Sequence, residues 1–162
     1  MAAALSYQLE DSVEPTQRYV EPGWFTRRVF NPLVRRFARW GVSYRGTREL
    51  AVVGRTSGQV RTTVVNLLNL DGQQYLVAPR GNTQWVRNVR AAGRAELRLG
   101  RKVELVEPVE LADDEKPPIT KEYLRRWKSE MGMFFEGIDE NATDEQVRAI
   151  APGFPVFALR SV

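Results

Sequence analysis

The stretch that decides the fold is residues 49–78, which read ELAVVGRTSGQVRTTVVNLLNLDGQQYLVA. Two β-rich runs, at 49–53 and 61–70, flank a turn that contains two glycines. An Asp-Gly pair at 71–72 predicts a two-residue hairpin turn, because this pair favours the turn types that match the twist of paired strands. A third strand is then expected at 74–78. The segment therefore predicts three consecutive antiparallel strands.

Three further strands are predicted downstream, at 95–99, 103–111 and 154–159, with a helix at 83–92 ahead of them. Residues 95–99 alternate between apolar and polar, as in a strand with one buried face. Pro108 predicts an edge or a bulge, because proline cannot donate a hydrogen bond to a strand ladder. Five or six meandering strands with helices at one end predict an α+β fold built on a small barrel.

The C-terminal third of the chain is predicted to be mainly helical. Ile119, Tyr123, Trp127 and Met131 recur at the spacing of one helix face. Thr143 begins a capping box, which predicts the start of a short second helix.

The N-terminal region is predicted to consist of a mobile arm at 1–22 and a helical segment at 23–40, the latter being the first part of a single domain at 23–162. The helical segment carries an apolar stripe with arginines beside it. Such a stripe fits a cover over the barrel, the seam of a homodimer, or a weak peripheral contact with an anionic membrane. These alternatives stay open, and the structural cover is preferred.

Composition excludes several kinds of chemistry. The chain has no Cys and no His, which removes thiol catalysis, His-based triads and the usual zinc sites, so no metal site is expected. It also lacks a signal peptide and an apolar run of the roughly 20 residues that span a bilayer. A cytoplasmic location is therefore expected, with a peripheral position on the inner face of the membrane as the alternative.

Positive charge is concentrated in arginine, which supplies 20 of the 24 basic residues. Residues 80–102 hold seven bases and a single acid, Glu96. This asymmetry predicts one face that attracts anions. Nucleic acid is not the expected partner, because no strip of aromatic residues for base stacking accompanies the run.

The first candidate site is the turn at 54–61, GRTSGQVR. Arg55 and Arg61 flank it, and arginine forks onto phosphate and carboxylate in a way that lysine does not. Backbone amides of such a turn form anion-binding nests. Ser57 adds a hydroxyl group, and Gly58 allows close approach of a ligand to the backbone. The alternative is an ordinary charged hairpin tip.

The second candidate site is residues 79–88, PRGNTQWVRN, where a predicted strand runs into a helix. Free amide groups and the helix macrodipole favour anions at such a point. Arg80 and Arg87 are placed to face the same ligand. In the alternative interpretation Trp85 belongs to the core and the arginines are solvated.

The order and spacing of these motifs within residues 49–111 resemble the deazaflavin-dependent nitroreductase and quinone reductase family. That family shows Gly-Arg-Lys-Ser/Thr-Gly-x-x-Arg, then a Ser-Lys-Gly-Gly-like turn, then Trp-x-x-Asn. Here Thr56 stands where Lys is frequent, and Pro79-Arg80 replaces Ser-Lys. The resemblance implies a split β-barrel and coenzyme F420, an 8-hydroxy-5-deazaflavin.

By this resemblance, Arg55, Ser57 and Arg61 would hold the phosphate and the acidic tail of the cofactor. Arg80, Gly81 and Asn88 would line its ribityl and ring region. Tyr123 is interpreted as a packing residue, and no catalytic residue is assigned. The full set predicted to bind the cofactor is Arg55, Thr56, Ser57, Gly58, Arg61, Pro79, Arg80, Gly81, Trp85, Arg87 and Asn88.

The resemblance also implies a reductase that uses reduced F420 to transfer hydride to a lipophilic activated acceptor: a quinone, nitroaromatic, enone or lipid-like compound. A chain without His and Cys suits this chemistry, because the cofactor carries the reactive bond and the protein supplies binding and orientation. Two alternatives remain. One is an FMN-binding oxidoreductase on the same barrel, and the other is a non-catalytic protein that binds a cofactor or a lipid.

Overall fold

The structure is a computed structural model that describes residues 18–19, 46–135 and 137–162. The predicted helical segment at 23–40 and most of the predicted arm at 1–22 lie outside the described residues. The strands are β1 (Thr47–Val53), β2 (Val60–Leu70), β3 (Gln73–Val77), β4 (Ala95–Leu99), β5 (Lys102–Glu110) and β6 (Val156–Ser161). They form a closed antiparallel barrel in the order β1-β2-β3-β6-β5-β4, which confirms the predicted α+β barrel.

The decisive segment forms three consecutive strands, as predicted. β1 and β2 pair without interruption from Thr47 opposite Asn66 to Val53 opposite Val60. The β2–β3 turn has positive φ at both central positions, 50° at Asp71 and 77° at Gly72. A primed hairpin turn requires these values, and for this reason the Asp-Gly pair predicts the turn correctly.

Pro108 lies on a stretch of β5 that has a free edge on one side, and not at a bulge. The β5–β6 register runs through Pro108, opposite Leu159, without a bulge. On the other side of β5, pairing with β4 ends where Ala95 faces Val106. Pro108 lies beyond that last pair, so on that side there is no ladder for its missing N–H to interrupt.

Three α-helices are described. They are α1 (Gln84–Ala92), α2 (Pro117–Met131) and α3 (Asp144–Ile150). Pro117 is the first residue of α2, a position where the missing N–H of proline leaves no bond unmade. The predicted capping box of α3 is confirmed, since Thr143 Oγ1 accepts from the Gln146 N–H at 3.1 Å and the Thr143 N–H donates to Gln146 Oε1 at 2.9 Å. None of the helices in the described ranges has the length and apolar character needed to cross a bilayer.

Two apolar clusters position the helices. The first fills the barrel and is closed by α1, whose Val86 and Val89 are buried against it. The second lies between the sheet and α2, where Leu68 packs with Tyr123 and Trp127. Full burial of a large apolar side chain contributes about 1.5–3 kcal/mol. These clusters therefore fix α1 and α2 against the same barrel, and both helices contribute to one cavity.

Candidate functional site

A cavity of about 750 Å³ lies among the turn after β1, the start of α1 and the C-terminal half of α2. This volume is within the range of small-molecule sites, about 300–1,000 Å³. The predicted site residues that line it are Arg55, Thr56, Ser57, Arg61, Pro79, Arg80, Trp85 and Asn88. The structure thus brings both candidate motifs to one cavity. Gly58, Gly81 and Arg87, which belong to the predicted set, are not among the lining residues.

The lining of the cavity extends along β2. Every residue at 61–66 contributes to the lining. Five steps of about 3.4 Å place Asn66 about 17 Å from Arg61 along the strand. The cavity is therefore long enough to hold two chemically different ends.

The turn after β1 is closed by its own backbone. The Gly54 N–H donates to the Gln59 carbonyl at 2.8 Å, and the Gly58 N–H donates to the Gly54 carbonyl at 2.9 Å. A Cβ at Gly54 would lie 2.8 Å from Ser57 Oγ and 3.1 Å from the Gln59 carbonyl oxygen, so a side chain there would force both to shift. Gly58 has φ of 69°, a value that favours glycine. The two glycines are thus needed for the shape of the turn.

Arg55 ties this turn to α1. Its Nη1 donates to Gln84 Oε1 and to Asn88 Oδ1, both at 2.9 Å, and its backbone N–H donates to the same Asn88 oxygen at 3.2 Å. Asn88 is only 5% exposed. Nε and Nη2 of Arg55 have no hydrogen-bond partner within the described ranges. Arg55 therefore positions the turn and still offers donors to a ligand.

Arg61 differs from Arg55. Its guanidinium is exposed and makes neither a hydrogen bond nor an ion pair with any described residue. A cation with five N–H donors that lines a cavity is suited to bind an anionic ligand.

Acidic residues compensate part of the positive charge of the base-rich run at 80–102. Arg90 forms a bidentate pair with Glu110, at 2.6 and 2.8 Å. Arg98 pairs with Glu96 at 2.6 Å and with Glu49 at 3.6 Å. Glu49 and Glu110 lie outside the run in sequence, so its composition alone does not reveal the compensation.

The start of α1 adds polar groups to the same end of the cavity. Thr83 precedes the helix and lines the cavity, and no acidic residue occupies the first turn. The Thr83 Oγ1 atom is buried and has no hydrogen-bond partner in the described part of the chain. The first amides of a helix also lack intrahelical acceptors. An acceptor-rich ligand would satisfy these groups.

The wall formed by α2 contains no residue of the predicted site set. Tyr123, Trp127 and Met131 all line the cavity. Their helical spacing indicated a shared face, but not that this face reaches a cavity. Thr62 and Asn66 were likewise missed, and no motif marks them; Thr83 and Gln84 lie within the second candidate motif but were not among the predicted site residues.

Tyr123 has the packing role that the sequence indicated and also contributes to the site. It is 1% exposed, and its ring lies 4.9 Å from Trp127 and 6.2 Å from Phe135, centroid to centroid. Its hydroxyl accepts a hydrogen bond from Asn66 Nδ2 at 3.3 Å. Burial raises the pKa of Tyr123 well above its usual range, and the Asn66 hydrogen bond opposes this only in part. The phenol therefore stays neutral at ordinary pH.

Trp85 packs against the core and also lines the cavity, so it has both of the roles that the sequence left open. Its ring packs against the barrel core, 5.8 Å from Phe157, and is half-buried. The same ring lines the cavity. It therefore gives the ligand a flat apolar surface next to Arg55 and Asn88.

The model of the F420H(2)-dependent quinone reductase family matches residues 25–136. No curated protein matches the chain. Among solved structures, an F420-H2 dependent reductase, FDR-A, is 19% identical over 72% of this chain and 95% of its own, with a TM-score of 0.51. A structure described as a domain-swapped dimer is 18% identical over 80% and 95% of the two chains, again with a TM-score of 0.51.

A protein of unknown function from Agrobacterium tumefaciens, Atu2129, is 19% identical and covers 88% of this chain, with a TM-score of 0.51. The chain spans 57% of the length of that protein. At these identities the solved structures show a shared fold. The family assignment depends on the match over residues 25–136.

Proposed function

The chain belongs to the F420H(2)-dependent quinone reductase family, and we propose that it transfers hydride from reduced F420 to a lipophilic acceptor, of which a quinone is the first candidate. It is an F420-dependent oxidoreductase, so the FMN alternative is not needed. One observation carries the proposal. A single cavity has a cationic end at Arg55 and Arg61 and an aromatic end at Tyr123 and Trp127.

The cationic end fits the anionic part of the cofactor. Arg61 has no partner among the described residues, and Arg55 has unused donors directed by its bonds to Asn88. The buried hydroxyl of Thr83 also lacks a partner there. These groups would hold the phosphate and acidic tail through charge-assisted hydrogen bonds, with the amides at the start of α1 beside them.

The remainder of the cavity suits flat apolar groups. Trp85, Tyr123, Trp127 and Met131 supply large apolar side chains, and Val64 adds apolar surface from β2. Arg80 and Glu130 line the cavity as well. Aromatic walls of this kind pack against ring systems and exclude water from the space between them. The ring of the cofactor and the acceptor would therefore meet here.

The division of work follows from these residues. When bound, reduced F420 supplies the hydride. The chain binds the anionic tail at one end, orients the rings at the other and keeps water out. Hydride transfer of this kind needs neither Cys nor His, and the chain has none. Nitroaromatic, enone and lipid-like compounds are the other acceptor classes that an apolar wall of this size admits.

Two finer proposals concern partners. The chain would bring a lipophilic acceptor to its cavity through weak, salt-sensitive contact of the 23–40 segment with anionic membrane. The chain would also form a homodimer. The segment lies outside the described residues, so its sequence pattern supports the first proposal, and the dimeric structure with the same fold supports the second.

Arg61→Ala tests the cationic end, and Arg87→Ala is a matched control from the predicted set that does not line the cavity. Loss of hydrogen bonds to a charged group costs about 1.5–3 kcal/mol, so Arg61→Ala should weaken F420 binding by about 10- to 150-fold. Arg87→Ala should leave it within about twofold. Fluorescence titration with F420 and with FMN measures this. Equal affinities for F420 in the two variants would contradict the assignment of Arg61.

A further inference from the structure

Two N-terminal residues, Arg18 and Tyr19, lie against the loop that follows β3. Tyr19 forms an antiparallel bridge with Gly81. The carbonyl of Arg18 accepts a hydrogen bond from the Asn82 N–H at 2.6 Å. The backbone at 18–19 is therefore joined to the loop by an isolated β-bridge.

The side chain of Arg18 anchors this pairing. Its Nη1 donates to the Pro79 carbonyl at 2.8 Å, and its Nη2 donates to the Phe134 carbonyl at 2.7 Å. The guanidinium also lies over the ring of Phe154, 4.4 Å from its centroid. A planar fork reaches two carbonyls and an aromatic face at once, which the single ammonium of a lysine does not do. Arg18 thus joins three separate segments of the chain.

Gly81 makes the close approach possible. Its φ is +81°, and a Cβ built there would lie 2.0 Å from the carbonyl oxygen of Arg18 and 3.1 Å from that of Gly153. Both obstacles are backbone atoms, so no change of rotamer relieves the overlap. Gly81 is among the residues predicted to bind the cofactor, and in the structure it lies against the N-terminal segment.

Tyr19 lines the cavity, and its side chain has no part in the anchoring. The backbone and Arg18 make the bonds described above, while the Tyr19 hydroxyl makes none with the described residues. We propose that Tyr19 is a specificity-determining residue: its ring, held in place by Arg18 and Gly81, limits the size of the acceptor that the cavity admits. The proposal rests on the proposed function for the class of acceptor.

The first experiment tests the anchoring without any ligand. Because the chain has no Cys, Tyr19→Cys introduces a single thiol, and the fluorescence anisotropy of a dye attached there reports how firmly residue 19 is held. Adding Gly81→Ala should lower the anisotropy, because the displaced segment moves more freely. Adding Gly93→Ala should not, because Gly93 shares the positive φ, at +68°, but a Cβ there has nothing within 4 Å.

A second route to the same displacement guards against misfolding of the Gly81→Ala variant. Arg18→Met replaces the guanidinium with an apolar group on a similar unbranched stem and removes both side-chain hydrogen bonds, so it too should lower the anisotropy. Circular dichroism confirms the fold of each variant. An anisotropy that stays unchanged in both Gly81→Ala and Arg18→Met would overturn the anchoring.

The second experiment tests specificity by equilibrium binding of a single-ring quinone and of a naphthoquinone with an isoprenoid tail. Quenching of tryptophan fluorescence measures binding, because Trp85 and Trp127 line the cavity. Tyr19→Ala and Gly81→Ala should each raise the affinity for the larger quinone relative to the smaller by about tenfold. Tyr19→Phe, which keeps the ring, should leave the ratio unchanged.

The outcomes separate this proposal from the proposed function. An unchanged ratio in Tyr19→Ala and Gly81→Ala, or no quinone binding by the unaltered chain, overturns the role of Tyr19. Failure of the proposed function appears elsewhere, as absence of F420 binding in a separate fluorescence titration. The quinone measurement needs neither the cofactor nor turnover, so it decides the role of Tyr19 in either case.

Discussion

Asn88 holds the turn against α1, and two substitutions there separate the shape of the site from its charge. Its Oδ1 accepts two hydrogen bonds from Arg55, one from the backbone and one from the guanidinium. Asn88→Ala removes both. A neutral bond contributes about 0.5–1.5 kcal/mol and a charged one about 1.5–3. Since Arg55 is partly solvated, we expect the free energy of unfolding to fall by about 2 kcal/mol.

Asn88→Asp has a different expected result. A carboxylate keeps an acceptor for both Arg55 donors, so the free energy of unfolding should change by about 1 kcal/mol or less. It also places a negative charge at the end of the cavity proposed to bind the anionic tail. Like charges about 6–8 Å apart interact by about 2–3 kcal/mol at an effective dielectric constant of 20. F420 binding should therefore weaken by more than tenfold in this variant.

The assay combines urea unfolding with fluorescence titration of F420, and Asn69→Ala on the exposed side of β2 serves as the control. Binding of F420 by Asn88→Asp with unaltered affinity would show that the anionic tail binds elsewhere. If Asn88→Ala and the control unfold at the same midpoint concentration of urea, the hydrogen bonds from Arg55 to Asn88 do not stabilise the turn.

Three further predictions follow from the structure. Gly54→Ala should weaken F420 binding several-fold in titration, because its Cβ would displace Ser57 Oγ, 2.8 Å away, and press on the Gln59 carbonyl, 3.1 Å away. Burial raises the pKa of Tyr123, so the unfolded state loses the phenol proton at a lower pH than the folded state does. The free energy of unfolding should therefore fall above about pH 10. Urea unfolding measured at several pH values should show a smaller fall for Tyr123→Phe. The chain should sediment with anionic vesicles but not with neutral ones, and Phe37→Asp should abolish this.

The strands were predictable because their causes are local. A primed turn requires positive φ values, which the Asp-Gly pair at 71–72 adopts readily. The alternation of apolar and polar residues at 95–99 shows which face of that strand is buried. The capping box at Thr143 is likewise a short-range signal. A small barrel was predictable as a fold class. The pairing of β3 with β6 was not, because it joins residues about 80 positions apart in the chain.

The site was predictable as two motifs but not as an arrangement. Sequence alone gave Arg55 and Arg61 the same role, since both flank one turn. Only the fold brings Asn88 under Arg55 and leaves Arg61 without a partner in the described residues. Arg18, which the sequence placed in a mobile arm, makes bonds to carbonyls 61 and 116 positions away. No local pattern encodes such contacts.

The separation of these two arginines has a consequence for how the site meets an anion. A guanidinium already bonded to Asn88 and Gln84 loses little freedom when a ligand binds, so Arg55 can give direction at low entropic cost. An exposed guanidinium without a described partner, as at Arg61, gives long-range attraction that salt screens. Arg61→Ala should therefore reduce the salt dependence of F420 binding more than Arg55→Ala does, while Arg55→Ala should cost more stability. The turn after β1 thus combines Arg55, a hydrogen-bond donor held in a fixed position, with Arg61, which attracts the anion at longer range. Both positions depend on Gly54 and Gly58, whose N–H groups make the backbone hydrogen bonds of the turn.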